Sequence, residues 1–343
     1  MKNLLLLFAL LVAALAITIP ASAQTITTFD IPGNVDGITT NALNDRGEIA
    51  GFYLDANDVS HAFVRACDGH ITTFDAPGSG GSIGTQAISM NDSGTIAGAY
   101  GDAADHVHGF LRDRRGHFTT VDFPGSIRTI VTSINPEGET IGVYRDANNV
   151  RHGFVRTANG KFTGYDIPGE SIPSQSCYST CLNALGEATE PYVDGEGILH
   201  GYLRERDGKI TKFDAPGAVN GTYPYSINLE GSIIGPFWDA VSNEHGFLRS
   251  GDGSFTIIDV PGAAATEPET NNALGEIAGD YIDPSGVYHG FLRTRRGEII
   301  TFDVPGAGTD PGEGTIPGPL NNAGTIAGEY CDAVTCYGFV RQR

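Results

Sequence analysis

The stretch Ile26–Arg65 reads ITTFDIPGNVDGITTNALNDRGEIAGFYLDANDVSHAFVR, and its elements return seven times along the chain. Copies begin at Ile26, Ile71, Phe118, Phe162, Ile210, Phe255 and Ile299. A fixed period of roughly 45 residues calls for an array of like supersecondary units. Each copy divides into four short segments of strand composition, named a to d here. In the first, a is Thr39–Leu43, b is Glu48–Leu54, c is His61–Ala66 and d is His70–Phe74. The a–b turn opens on an Asn (Asn44, Asn91, Asn135, Asn183, Asn228, Asn272, Asn322) and closes on a Gly two or three places later. Asn caps its own backbone and Gly takes the positive φ that closes a tight turn. The c–d turns are also short and carry Gly, as at Arg115-Gly116. Hairpin turns throughout make a-b-c-d an antiparallel meander. The d–a link opens on Pro-Gly, as at Pro32-Gly33, and then varies in length. Pro ends the strand because it has no N–H to give the ladder.

Seven four-stranded meanders predict an all-β fold, a seven-bladed β-propeller of four-stranded antiparallel blades. The repeats open on a d segment, Ile26–Asp30, and finish after a c segment, Gly338–Arg341. The N-terminal strand is therefore expected to complete the last blade and leave no open sheet edge. The alternative is an open β-solenoid, which needs capping repeats, and none is visible. In d, Ile71 and Phe74 fall on opposite faces, which predicts a strand buried on both sides. The Ile-Ala-Gly runs in b, such as Ile49–Gly51, suit a crowded place near an axis.

Residues 1–23 have the form of a signal peptide: Lys2, the apolar run Leu4–Ile19, then Ala21-Ser22-Ala23. That run is short of the roughly 20 residues that span a bilayer. A single repeat domain, 24–343, is expected to be exported to the periplasm or the extracellular space, as a monomer without stable membrane insertion. Lys and Arg number 21 against 41 Asp and Glu, a net charge of −20. That sign repels phosphate backbones and argues against nucleic acid as a partner. Two local disulfides, Cys177–Cys181 and Cys331–Cys336, are expected in an oxidising compartment, leaving Cys67.

The element His61-Ala62-Phe63 recurs as His108-Gly109-Phe110, His152-Gly153-Phe154, His200-Gly201-Tyr202, His245-Gly246-Phe247 and His289-Gly290-Phe291. With the Asn-x-x-Gly-x-Ile-x-Gly and Asp-x-Pro-Gly elements, the chain resembles the HAF-type extracellular repeat of exported bacterial proteins. The resemblance spans essentially all of 24–343. It implies secretion and a propeller-like build, and it brings no activity or substrate with it.

Six His open strand c and an Asp closes each strand d. The register pairs His61 with Asp75, His108 with Asp122, His152 with Asp166, His200 with Asp214, His245 with Asp259 and His289 with Asp303. An Asp that orients a His begins a catalytic dyad. Six copies held off the axis cannot converge on one ligand, so the pairs read as a repeated structural network. The Arg ending each strand c, Arg65 to Arg341, reads as a source of interblade ion pairs. The turn Asp55-Ala56-Asn57-Asp58 has some likeness to a calcium loop but lacks the acidic spacing of an EF-hand. Ca2+ is therefore a minor expectation, and no other cofactor is expected.

Departures from the repeat point to a ligand better than its regularities do. Tyr178, Tyr223, Tyr225, Phe237 and Trp238 crowd the fourth and fifth copies. On an exposed rim they would suit sugar rings or a protein surface; the alternative is packing between blades. No Gly-x-Ser-x-Gly, His-Glu-x-x-His or phosphate loop occurs. The leading expectation is an exported, non-enzymatic binding protein with a protein or carbohydrate partner. The alternatives are an exported hydrolase or lyase acting at the channel, or a purely structural surface protein. Convergent acidic residues at the channel would favour the enzyme, and a featureless channel with an exposed aromatic rim would favour binding.

Overall fold

The computed structural model describes residues 25–35, 37–170 and 180–343. The expected signal peptide lies outside the described residues, as do Cys177 and Tyr178. Every regular element among the described residues is a β-strand. None of those residues forms a helix long and apolar enough to cross a membrane.

The strands pair in chain order, unit by unit. In the first unit Ile38–Leu43, Ile49–Leu54, Ser60–Arg65 and Ile71–Phe74 form one antiparallel meander. Thr85–Met90 to Phe118–Val121 repeat it, as do Arg128–Ile134 to Phe162–Tyr165. The fourth unit shows Ala188–Val193, Leu199–Arg204 and Ile210–Phe213. In the fifth, strand a is broken into Gly221–Thr222 and Ser226–Ile227, either side of Tyr223, Pro224 and Tyr225. Strands b to d of that unit, Ile233–Trp238, Glu244–Arg249 and Phe255–Ile258, are regular. The sixth runs from Ala265–Asn271 to Ile299–Phe302. In the last, Gly314–Leu320, Ile326–Cys331 and Cys336–Gln342 are joined by the N-terminal strand Thr25–Phe29, which pairs antiparallel with Cys336–Gln342. First and last repeats thus share a sheet.

The a strands form the inner layer. Ile38–Leu43 touches Thr85–Met90, which touches Arg128–Ile134, and Ala265–Asn271 touches Gly314–Leu320, which returns to Ile38–Leu43. The turn Asn residues tie this circle. The Nδ2 of Asn91 donates to the carbonyl of Asn135, Asn135 to Asn183, Asn183 to Asn228, Asn228 to Asn272, Asn272 to Asn321 and Asn321 to Asn44, at 3.0–3.2 Å. Asn44 turns its amide to Glu48 instead, at 2.7 Å. Each Oδ1 meanwhile caps its own turn, as Asn44 does for the amides of Arg46 and Glu48. An Asp could cap the turn but has no N–H for the neighbour, which is why the position is Asn. In the seventh unit the capping residue is Asn321, not Asn322. Asn321 accepts from the amides of Ala323 and Thr325, and its Gly lies three residues on, as in every other unit.

A bulge in strand a, between Thr40 and Ala42 in the first unit, brings the carbonyl of Thr39 against Gly51. A Cβ there would overlap that oxygen, and the same holds at Gly98, Gly142, Gly235, Gly279 and Gly328. This is the reason for the Gly in Ile-Ala-Gly. Behind it stand the strand-c aromatics Phe63, Phe110, Phe154, Phe247, Phe291 and Phe339, each fully buried.

Two expectations need correction. Strand d is not buried on both faces: Thr72 and Thr73 are exposed, because d is the outer strand of its sheet. Among the described residues Arg65, Arg112, Arg156, Arg204, Arg249 and Arg293 are seen in no interblade ion pair. Arg65, Arg112, Arg204, Arg249 and Arg341 instead lie 4.3–5.1 Å from the ring centres of Phe29, Phe74, Tyr165, Phe213 and Phe302 in the preceding unit. Such contacts contribute about 0.5–2 kcal/mol each. The ion pairs between units come from the c–d turns, as Arg114 with Glu48 and Arg295 with Glu230. Cys331 and Cys336 form a disulfide across the last b–c turn, and Cys67 is free and exposed.

Candidate functional site

The recurring His residues sit between two carboxylates. Nδ1 meets the strand-d Asp in all six pairs: His61 with Asp75 at 2.9 Å, His108 with Asp122 at 2.9 Å, His152 with Asp166 at 2.5 Å, His200 with Asp214 at 2.8 Å, His245 with Asp259 at 3.0 Å and His289 with Asp303 at 2.8 Å. Nε2 faces a second Asp from the b–c turn, 3.1–3.8 Å away: Asp55, Asp102, Asp146, Asp194, Asp239 and Asp283. Each imidazole also lies on an aromatic ring, as His289 on Tyr281 at 5.0 Å. Burial lowers the His108 and His200 imidazoles, but their two Asp partners outweigh it and hold them above the usual value. Each ring is thus held between two carboxylates, with Nδ1 on one and Nε2 toward the other. In the seventh unit Tyr337 replaces His and stacks on Tyr330 at 5.3 Å.

The b–c turns are equally committed. Asp55 accepts from the amides of Asn57 and Val59 at 2.8 and 3.0 Å and faces His61, so its oxygens are spoken for.

The expected aromatic rim is absent among the described residues. Tyr223, Tyr225 and Phe237 are buried, at 7%, 7% and 3% exposure, and Trp238 is half-buried. Tyr223 and Tyr225 cross edge to face at 5.0 Å, and Phe237 stacks on His245. Packed in this way, Tyr223, Tyr225 and Phe237 offer no open ring face to a sugar. The Tyr225 hydroxyl instead donates to Glu267 at 2.6 Å.

Glu267 belongs to a group of five carboxylates on the wall of units five to seven. In the sixth unit it stands directly opposite Asp280 across strands a and b. Glu269, on the bulge of the same strand a, comes within reach of both. One oxygen from each of Glu267, Glu269 and Asp280 lies within 4.8 Å of the others. Glu329 occupies the Asp280 position of the seventh unit, opposite Ile316, and accepts the Thr40 amide at 3.1 Å. Glu244 opens strand c of the fifth unit, paired with Trp238. Among the described residues no Lys or Arg forms an ion pair with any of the five.

The surroundings push every one of these acids toward its neutral form. Burial, then the charges of Glu267 and Glu244, hold Asp280 well above the carboxylate range. Burial and the four other carboxylates do the same to Glu269, and burial raises Glu267. Glu244 is pushed up to about 7 by burial and Glu267, and Glu329 to about 7 by burial. Asp280 is 1% exposed, and its Oδ2 has no hydrogen-bond partner. Beside the group a cavity of about 140 Å³ is lined by Thr39, Thr40, Asn41, Glu269, Pro317 and Glu329. A second, of about 230 Å³, lies inside the Asn circle.

These acids escaped a motif search because they belong to no motif. Lining up the residue after the strand-b Gly would have found two: Phe52, Ala99, Val143 and Pro236 are followed in that column by Asp280 and Glu329, while in the fourth unit Glu190 stands in the place of the Gly.

No family model matches the chain, and no curated protein matches it. Among solved structures it is similar to a streptogramin B lyase, with a TM-score of 0.57 and 13% identity over 92% of this chain and 97% of that one. A lectin, BP39L from Burkholderia pseudomallei, aligns at a TM-score of 0.48 and 8% identity over 89% of this chain and 98% of that one. The first likeness makes the fold that of the β-propellers. At such identity neither likeness reaches beyond the fold.

Proposed function

We propose that the chain is an exported seven-bladed β-propeller with four-stranded blades, and that it works as a binding protein of the cell envelope or extracellular space. Its ligand meets the channel wall of units five to seven. One observation carries this reading. The repeated charges of the fold have partners, the strand-c His between two Asp and most strand-c Arg on an aromatic ring, whereas Glu244, Glu267, Glu269, Asp280 and Glu329 gather with no Lys or Arg paired to them among the described residues. A partner bearing cationic or hydroxyl groups, a basic protein segment or an oligosaccharide, supplies the donors they lack. The two cavities fall below the roughly 300–1,000 Å³ usual for small-molecule pockets. They suit one inserted group of a larger partner better than a whole substrate.

Convergent acids also favour a second reading, an exported hydrolase or lyase at the channel. Carboxyls near 7, such as Glu244 and Glu329, are in the range a general acid or base needs at neutral pH.

A thermal-shift screen of oligosaccharides and basic peptides, each followed by mass analysis of the ligand, separates the two. At about 100 times its Kd a ligand adds roughly 2.7 kcal/mol, a rise of a few degrees. The binding reading expects a rise that is lost in the Glu267→Gln/Glu269→Gln double variant, with the ligand recovered intact. Consumption of the ligand would favour the enzyme. A rise of equal size in the double variant would place binding elsewhere.

A further inference from the structure

The carboxylates of Glu267, Glu269 and Asp280 come from two adjacent strands of one unit, two of them directly opposed. Like charges facing each other across a strand pair destabilise a sheet. We propose that these three side chains form a Ca2+ site in the channel wall; the inference rests on the channel being the ligand site and names an inorganic component of what it binds.

Geometry and donor chemistry agree. Ca2+ takes oxygen ligands at roughly 2.3–2.6 Å, so two ligands on opposite sides of the ion stand up to about 5 Å apart. Three oxygens within 4.8 Å of one another can therefore share one ion. Two further observations point to a missing partner. Oδ2 of Asp280, a residue 1% exposed, accepts no hydrogen bond. Oγ1 of Thr40, a residue 5% exposed, is also without a partner, and Thr40 lines the cavity of about 140 Å³ together with Glu269 and Glu329. Buried polar atoms without partners are uncommon in native proteins, and an ion with its waters is one way to satisfy them.

An all-oxygen set selects a hard cation over zinc or copper. Ca2+ is favoured over Mg2+ because it accepts six to eight ligands in loose geometry. Three carboxylates from two strands, one of them lining a cavity, fit that demand better than a rigid octahedron. The b–c turns, where the sequence has some likeness to a calcium loop, are poor rivals because their Asp oxygens already serve backbone amides and His.

The protein carries its own reporters. Tyr225 bonds Glu267, and the single Trp, Trp238, pairs with Glu244. Excitation of these rings should sensitise Tb3+, a luminescent stand-in for Ca2+. EDTA-stripped protein, produced from the full-length sequence with export intact, is titrated with Tb3+ at pH 7. One Tb3+ per chain is expected, displaced by Ca2+ at concentrations at least 10-fold below those of Mg2+ that do the same. Affinity should fall at least 100-fold in Glu267→Gln/Glu269→Gln, and substantially in the single variant Asp280→Asn, which guards against a folding defect in the double one. Asp55→Asn should bind as the wild type does. Absence of sensitised emission from the wild type overturns the proposal, as does wild-type affinity in both channel variants. An organic ligand that binds the wall without any effect of Ca2+ or Tb3+ also overturns it while sparing the wider reading. Ca2+ binding with no organic ligand found upholds the site and removes support from that reading instead.

Discussion

The outer clamps and the channel wall are both built on carboxylates and treat them in opposite ways. In a clamp each Asp faces backbone amides or an imidazole. Amide bonds, led by that of His106, pull Asp102 down to about 2, and bonds from Ser285 and Val287 do the same for Asp283. On the wall of units five to seven the carboxylates face one another and are pushed up. The first pattern recurs in six units and explains itself. The second occurs once, opposes folding on its own, and persists where a ligand would offset it. Repetition here marks architecture, and departure from it marks the site.

The comparison can be broken first at the core. If repeated positions are interchangeable scaffold, Phe63→Ala and Phe291→Ala should each cost about 3–5 kcal/mol in denaturant unfolding, the range for a buried Phe. A loss at one and not the other would mean the units do not share their load.

The next effect separates the two regions by pH. The wall carboxyls have folded values above their unfolded ones, so the folded state binds more protons between them. Stability in EDTA should therefore fall as pH rises from about 4.5 to 7, the window set by Glu244 and Glu329. Glu329→Gln should gain on the order of 1–3 kcal/mol at pH 7 and little at pH 4.5, since one pKa unit corresponds to about 1.4 kcal/mol. A variant less stable than the wild type at both pH values would refute the wall as a strained site. The Asp residues of the clamps have the opposite sign: their contribution is present above the ordinary Asp value of roughly 4 and is lost as pH falls toward 2.

A smaller effect belongs to the clamp His. His108 and His200 are held above the usual imidazole value, so their contribution is full below about 6.5 and fades as pH rises through the raised folded value. His108→Gln should cost at most about 1 kcal/mol at pH 5.5, because its Asp partners are partly exposed and solvent screens the pair. The cost should shrink by pH 9; a constant cost would mean that the ring acts by packing on Tyr100 alone. Smallest of all, Tyr337→His sets an imidazole between Asp30 and Asp332 and should raise the unfolding midpoint at pH 5.5 by about a degree or less, since the position is open to solvent. Unfolding midpoints at pH 5.5 and 9 check both.

The meanders, the turns and the closing strand Thr25–Phe29 were all legible in the sequence, because each rests on a local residue choice with one physical meaning. Pro ends strand d, Gly closes the turn and Asn opens it. What depended on contact between units was not legible. Arg112 reads as an ion-pair residue until Phe74 of the preceding unit is seen 4.3 Å from its guanidinium carbon. The Asn321-Asn322 pair offers two candidates for one cap, and only the bonds to Ala323 and Thr325 choose between them. Tyr223 and Tyr225 looked like rim residues because nothing in their composition announces that they pack edge to face and are buried. Glu269 was hidden for a similar reason: its direction is set by the bulge, which leaves no mark in the alternation of the strand.

The most direct test of the channel wall is a crystal structure of the protein grown with Mn2+, with anomalous data collected to locate the ion. The account predicts one anomalous peak bounded by Glu267, Glu269 and Asp280. A map with no peak there, or with peaks only at the b–c turns around Asp55 and its repeats, would contradict it.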